Sequence, residues 1–422
     1  MKILWVVNKP CGALHEKLYG KKSTGGLWLD AMLDEAKESN EDSIVVVNIE
    51  KSPKISYYND GNISYYTISG VPNAEYDYKS QNALSAWKEI IDKEKPDVIE
   101  LWGTEFPYGM AVNKVSEGIP KVIYVQGILD SIGKYYLAGL TNKELKKAKS
   151  FRDVVTGTTI KQIQKDFSKR AVYEKEIVNS SGHIIIENHW AEAYYKKVCP
   201  QVKAHFLPIS IAESFHNYSW KYEDAETVSI FCPAADYTIK GLHMLLKALA
   251  IVKKKYNDVK LYIPGTPLKD TKNLKAKLKQ NGYSKLIKAM LTELNLTDNV
   301  VYTGRLTADQ MAEKMSKVSC FAMTSAIENH SSTLKEAMTV GVPCVASYVG
   351  GVPEYATDGE NCLLYRFEDY EVLAQNIIRL FEDKALCEKL SNNARSKMRT
   401  PKEKTDYARM REIFEEIIKG KE

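Results

Sequence analysis

No apolar run in this 422-residue chain approaches the roughly 18 residues that a membrane-spanning helix requires. The opening MKILWVVNK carries only about five apolar residues together, too few for a signal peptide, and reads instead as a first β-strand. The seven cysteines are an odd number with no C-x-x-C pair, which excludes the paired framework of a small secreted protein and fits reduced thiols in a cytosolic one. Four catalytic and phosphate-binding signatures are also missing: the P-loop, the G-x-S-x-G elbow, H-E-x-x-H and the D-x-D metal motif. The dinucleotide fingerprint G-x-G-x-x-G does not follow the first strand, which argues against a nicotinamide or flavin dehydrogenase. No D-x-D and no His/Asp cluster with ligand spacing means that no metal site is expected. Asn62 and Asn179 begin N-x-[ST] triplets that chance explains in a cytosolic chain.

What is present is ordinary in amount and informative in order. A hydrophobic share of 44% with 27% charged residues describes a soluble globular protein. The length exceeds what one core usually supports, so two domains of roughly 200 residues are expected. Strand-like runs alternate with helix-favouring stretches throughout, the pattern of an α/β protein with parallel sheets. In the first half they are ILWVVN, IVVVNI, VIELWG, KVIYVQ, HIIIEN and AHFLPI. In the second half they are VSIFCPA, VKLYIPG, NVVYTG, VSCFAM, PCVAS and NCLLY. KISYYNDGNISYYTIS sets two tyrosine-rich runs around Asp-Gly, a hairpin signal. ESFHNYSWKYEDAET, residues 213–227, reads as the linker between two doubly wound domains. The boundaries expected are 1–212, joined by 404–422, and 213–403. The amphipathic stretch KTDYARMREIFEEIIKG has no strand after it and must pack back on something already built.

Glycines and one lysine mark places where a ligand can approach. Gly25-Gly26 opens a helix whose apolar positions are Leu27, Leu29, Met32 and Leu33. Two glycines there bring backbone N–H groups to a ligand with no Cβ in the way, although a plain turn fits the pair equally well. In PAADYTIKGLHMLLKALAIVKKK, Lys240-Gly241 sits between a strand and a strongly amphipathic helix. A lysine there can hold an anion beside the helix N-terminus.

Residues 318–347, VSCFAMTSAIENHSSTLKEAMTVGVPCVAS, read as strand, loop, helix, Gly-Pro turn and strand. Glu328 falls in the loop at the carboxyl end of the first strand and Glu336 in the second helical turn. That edge of a parallel sheet is where such folds bind ligands. The bland alternative makes Glu336 a helix-surface acid and Glu328 a capping one.

Taken in order, the two glutamates, GVPCVAS, GGVPEYATDGENCLLY, the upstream Lys240-Gly241 and the early Gly25-Gly26 resemble the retaining glycosyltransferases of the GT-B fold, glycosyltransferase family four. The resemblance covers essentially the whole chain and is strongest over residues 228–366. It implies two Rossmann-like domains facing across a cleft, with the C-terminal helix crossing back to the first. It also implies a nucleotide diphosphate sugar, UDP- or GDP-linked, as donor substrate, and no other cofactor. In that family Glu336 would bind the ribose hydroxyls, and Glu328 would lie beside the donor sugar. Asn329, His330, Ser331 and Ser332 would meet sugar hydroxyls and phosphate. Lys240 would neutralise the diphosphate, Gly25 and Gly26 would close over it, and Gly304, Arg305 and Leu306 would lie near the base.

Two positions depart from the family pattern. Ala235 stands where an arginine is usual, with Arg305 as the substitute. Gln126-Gly127 stands where a histidine is common, so that contact passes to Gln126 or Asp130, with His15 a further option. The expected reaction is hexosyl transfer with retention onto a glycan or lipid-linked acceptor, by a front-face route that needs no protein nucleophile, in surface polysaccharide or glycan biosynthesis. A sugar-nucleotide 2-epimerase of the same architecture and a catalytically silent glycan-binding member remain as alternatives.

Charge is unevenly spread. Residues 134–175 hold eleven Lys/Arg against four Asp/Glu, an excess of seven against +5 for the whole chain. A solvated helical face explains this. So does a patch on the anionic inner face of a membrane, with Tyr135, Tyr136, Leu137 and Leu140 at headgroup level. No nucleic-acid partner is expected, and the protein is placed in the cytoplasm, with peripheral membrane contact as the sharper option.

Overall fold

A computed structural model describes residues 1–21, 27–70, 79–233, 237–265 and 279–420. It divides into two compact units. The first comprises Met1–Asp130, Ser168–Ser210 and Lys402–Glu422, and the second Ser131–Phe167 and Ile211–Pro401.

Eight strands build the first unit: β1 (Lys2–Val6), β2 (Ser43–Glu50), β3 (Tyr57–Asp60), β4 (Ile63–Ser69), β5 (Val98–Trp102), β6 (Lys121–Tyr124), β7 (Gly182–Ile186) and β8 (Lys203–Phe206). They lie in the order β3-β4-β2-β1-β5-β6-β7-β8. All neighbours are parallel except β3 and β4, the hairpin expected around Asp60-Gly61. Gly61 takes a left-handed φ of 66° there, which a glycine adopts without strain. The inner strands read as unbroken apolar runs because helices cover both of their faces. Six successive residues of β2, Ile44 to Ile49, are buried.

The second unit holds β9 (Glu226–Phe231), β10 (Lys260–Ile263), β11 (Val300–Tyr302), β12 (Val318–Met323), β13 (Cys344–Ser347) and β14 (Leu363–Tyr365). They form one parallel sheet in the order β11-β10-β9-β12-β13-β14. The apolar stripe of the helix Leu242–Lys255 packs into its core through Leu245, Leu246, Leu249 and Val252. All seven cysteines are buried, and none forms a disulfide. Among the described residues no helix is long and apolar enough to cross a membrane.

The C-terminal helix Asp406–Lys419 belongs to the first unit. Thr405 caps it by accepting the Ala408 N–H, and Tyr407, Met410, Phe414 and Ile417 turn one face into that unit's core. Tyr407 Oη and Arg411 Nε both donate to Asp42, each at 2.8 Å, and fix its docking.

Two expectations about organisation change. The polar stretch 213–227 is no free linker, because Phe215 and Trp220 are 1% and 3% exposed in the second unit's core. The Trp220 indole also donates to the Val318 carbonyl at 2.8 Å. Residues 131–167, expected within the first domain, lie in the second unit instead. Tyr136, Leu140, Ala148 and Ile160 enter its core. Three hydrogen bonds hold the segment down: Thr238 Oγ1 to the Tyr136 carbonyl at 2.6 Å, His243 Nε2 with the Ala138 carbonyl at 2.7 Å, and the Gly282 N–H to Asp153 at 2.5 Å. The scattered apolar residues among the lysines, not the lysines, decide where this segment packs.

Candidate active site

The second sheet reverses its strand order at β9, whose neighbours β10 and β12 lie on opposite sides. The loops leaving β9 and β12 therefore diverge at their carboxyl ends and leave a crevice for a ligand. After β9 the chain reaches a short 3₁₀ turn, Thr238–Lys240, and then Gly241 at φ 70°. A Cβ on Gly241 would stand 1.7 Å from the Thr324 carbonyl oxygen, so only glycine lets the two loops touch. Two hydrogen bonds sew them together: Ala326 N–H to the Ile239 carbonyl at 2.7 Å, and the Thr324 hydroxyl to the Lys240 carbonyl at 3.0 Å.

That seam brings Lys240 to Glu328, with Nζ 2.6 Å from Oε1. Glu328 is 9% exposed, so the pair is largely out of water. Burial works to lower the Lys240 pKa, but the facing carboxylate and its hydrogen bond outweigh it and the net shift is upward. Lys240 is therefore a fixed cation at neutral pH. A second loop backs Glu328. The Gly351 N–H donates to the Glu328 carbonyl at 3.1 Å, and a Cβ on Gly350 would lie 1.8 Å from that same oxygen. The glycines of GGVPE thus allow the backbone approach that sets the glutamate in place.

Ser331 ends the loop and caps the helix Ser332–Val340 by accepting the Leu334 N–H. Its own N–H donates to Tyr355 Oη at 3.2 Å, while Ser332 Oγ lies 3.4 Å from His330 Nε2. Asn329 and Ser331 are buried and Ser332 is partly buried. Glu336 follows on the next turn, partly buried, and burial alone pushes its carboxyl up to about 7. It has no hydrogen-bond or ion-pair partner among the described residues. A partly buried carboxylate without a partner is set to accept hydroxyl donors from elsewhere.

The other sequence-predicted residues are spread out. Gly304 (φ 77°) accepts the Gly265 N–H at 2.7 Å and bridges the ends of β10 and β11. Arg305 follows it, exposed and without a charged partner among the described residues, at the end of the edge strand β11. Nothing there ties it to Lys240 or Glu328. Leu306 packs against the core. In the first unit, Gln126 donates to the Trp102 carbonyl at 3.2 Å, and exposed Asp130 lies 3.9 Å from Lys175. His15 bonds to the Lys21 carbonyl at 3.0 Å, and its ring lies tilted against Tyr19 with centroids 4.7 Å apart. Gly25, Gly26 and Ala235 lie outside the described residues.

The sequence reading missed a polar network at the corresponding edge of the first sheet, where strand order reverses at β1. Asn8 donates to Glu105 at 3.1 Å and accepts from Tyr108. Fully buried Glu174 accepts from Thr104 at 2.9 Å, from Tyr195 at 3.1 Å and from the Leu129 N–H at 3.1 Å. Burial raises its carboxyl to about 7, more than these three bonds pull it down. Glu174 comes from a largely polar helix, Ile160–Ser181, with other charged residues on either side, and no local pattern sets it apart.

Two parallel-sheet, Rossmann-like units with this strand order define the class, the GT-B fold. Solved structures share it over the full chain. Sucrose-phosphate synthase from Thermosynechococcus elongatus superposes with a TM-score of 0.75 at 16% identity, covering 100% of both chains. HepE of Anabaena, in complex with UDP-glucose, superposes with a TM-score of 0.65 at 17% identity, also covering 100% of both chains. The sequence adds a family likeness: residues 217–397 match "Glycosyl transferases group 1". N-acetyl-alpha-D-glucosaminyl L-malate synthase of Bacillus anthracis is 30% identical over 106 residues, 25% of this chain and 27% of that one. The chain matches 27–49% of the length of the first such curated relatives. These matches bear out the expected GT-B fold and a likeness to group 1 glycosyltransferases over residues 217–397.

Proposed function

We propose that the protein transfers a hexosyl group from a nucleotide diphosphate sugar to a hydroxyl of a glycan or lipid-linked acceptor, with retention of anomeric configuration. The observation that carries this reading is the Lys240–Glu328 pair at the switch point of the second sheet, 2.6 Å apart, with Glu328 buried and Lys240 partly so. In the absence of an anion, Glu328 holds the lysine in position. An arriving diphosphate competes for the ammonium, so the charge needed at the leaving group is oriented before the reaction begins. Glu336, without a partner of its own, accepts the two ribose hydroxyls.

The chemistry then requires little from the protein beyond placement. The bond between the anomeric carbon and the diphosphate oxygen breaks, and the acceptor oxygen bonds to that carbon on the same face. The acceptor proton passes to the departing phosphate oxygen. Lys240 stabilises the negative charge left on the diphosphate, and Glu328 lies beside the sugar as positive charge develops there. Arg305 joins this set only if the loop after β11 brings it toward the phosphates.

A uridine donor is favoured by the likeness to HepE, which is described with UDP-glucose. A metal-independent reaction is favoured by the lysine, which supplies charge that a divalent cation would otherwise bring. The buried thiols, none in a disulfide, suit a reducing, cytoplasmic setting, and surface polysaccharide or glycan biosynthesis is the pathway class that fits such an acceptor. Calorimetric titration with UDP- and GDP-sugars tests the reading. Binding of one class, weakened in Glu336→Ala, is the expected result. No heat with either class at millimolar donor would overturn it.

A further inference from the structure

The segment 141–165 of the second unit carries an apolar face turned the wrong way for a soluble protein. In the short helix Phe151–Thr156, the polar residue Asp153 points inward. It is 4% exposed, its backbone N–H is received by Ser150, and its carboxylate accepts the Gly282 N–H. Phe151, Val154 and Val155 point outward at 66%, 58% and 68% exposure. Positions i, i+3 and i+4 share one face of a helix, so these three side chains form a single apolar tip.

Exposed cations dominate the segment that carries that tip. Lys143, Lys146, Lys149, Arg152, Lys161 and Lys165 are exposed and have no ion-pair partner among the described residues. The acids of the segment are engaged elsewhere, Glu144 with Lys247 at 2.8 Å and Asp153 in the interior. Beside the tip opens a cavity of about 540 Å³, floored by Leu145, Val154 and Ile160 and rimmed by Lys146, Lys149 and Lys161. Apolar floor and cationic rim together match a molecule with a phosphate head on a hydrocarbon body.

We infer that this face docks the protein on an anionic lipid bilayer, with Phe151, Val154 and Val155 entering the headgroup layer and a lipid phosphate held in the lysine-rimmed cavity. An acidic protein would match the charges but leaves the outward valines and phenylalanine unexplained. The aromatic pair expected from sequence to reach the membrane cannot do so as a pair, because Tyr136 is buried in the core and Tyr135 alone is exposed.

Co-sedimentation of the full chain with vesicles of phosphatidylcholine alone, or mixed with phosphatidylglycerol, tests this. Binding should appear only with the anionic mixture and fade from 0.1 M to 1 M salt, where the screening length falls from about 10 Å to about 3 Å. Each cation at such a surface contributes about fivefold, so Lys146→Glu/Lys149→Glu/Lys161→Glu should lower the partition by at least about 100-fold. Phe151→Ser/Val155→Ser, at exposed positions, should weaken it at unchanged charge and unchanged melting temperature. Equal or absent binding to the two vesicle types overturns the proposal. So does anionic-vesicle binding that the Phe151→Ser/Val155→Ser variant retains in full. Neither result touches the donor chemistry, which calorimetry measures separately.

Discussion

The carboxyl edges of the two sheets look alike in outline and differ in how their polar groups are satisfied. At the first, the polar groups named above answer one another, while the buried Glu100 carboxyl and the Trp102 indole in β5 have no partner among the described residues. Glu174 takes three hydrogen bonds from its own unit, and Asn8 links Tyr108 to Glu105. At the second, Lys240 and Glu328 satisfy each other, while Glu336 on the following helix has no partner among the described residues. A network closed on itself rigidifies a scaffold, whereas a half-open one is stabilised by what binds. The difference favours the second edge for the donor chemistry proposed above and a supporting role for the named groups of the first.

The largest break in this comparison comes from Lys240→Ala. Loss of a preoriented charge facing the leaving group should lower turnover about 10²–10³-fold. Lys240→Arg should recover part of it, and steady-state kinetics with the preferred donor reads both. Next come the glutamates, at about 10- to 100-fold each, the range for a hydrogen bond to a charged group. Glu336→Ala should appear mainly in donor affinity and Glu328→Ala mainly in kcat. Wild-type values in both would remove the assignment.

The first edge gives a stability signature instead. The Glu174 carboxyl is raised to about 7 by burial, so its folded-state pKa exceeds the unfolded one near 4.5. The sign follows from proton binding: stability is fully present below the unfolded pKa and is lost as pH rises through 7. Glu174→Gln should therefore gain about 1–3 kcal/mol over the wild type at pH 8 and nothing at pH 4.5, as read by urea denaturation.

How much of this was legible beforehand follows from the same residues. The parallel strands showed as apolar runs, and the edge loops of the second sheet showed as GGVPE, Lys240-Gly241 and the spaced glutamates, because close backbone approach demands glycine at fixed places. The Lys240–Glu328 contact joins residues 88 positions apart and could be inferred only through the family resemblance. Glu174 was invisible, since its partners Thr104, Leu129 and Tyr195 come from three distant segments. Residues 131–167 were misplaced because their charges dominate the sequence while four apolar side chains decide their packing.

A finer distinction between the edges lies in pH. Glu336 must be ionised to act as a full acceptor, and its carboxyl is raised to about 7. Donor affinity should rise about tenfold from pH 6 to pH 8, as the ionised fraction rises, and Glu336→Gln should flatten the profile. The smallest expected effect is that of excess EDTA, which should leave the rate unchanged. Complete loss restored by magnesium would place a metal where the account places Lys240.

The central claim is that the Lys240–Glu328 edge acts on a sugar diphosphate bond. Nucleotide release from UDP- and GDP-sugars, followed without acceptor in the wild type and in Lys240→Ala, tests it most directly. The account predicts slow hydrolysis of one donor by the wild type, reduced about 10²–10³-fold in the variant while donor binding persists. Undiminished release by Lys240→Ala, or none from any donor by the wild type, would contradict it.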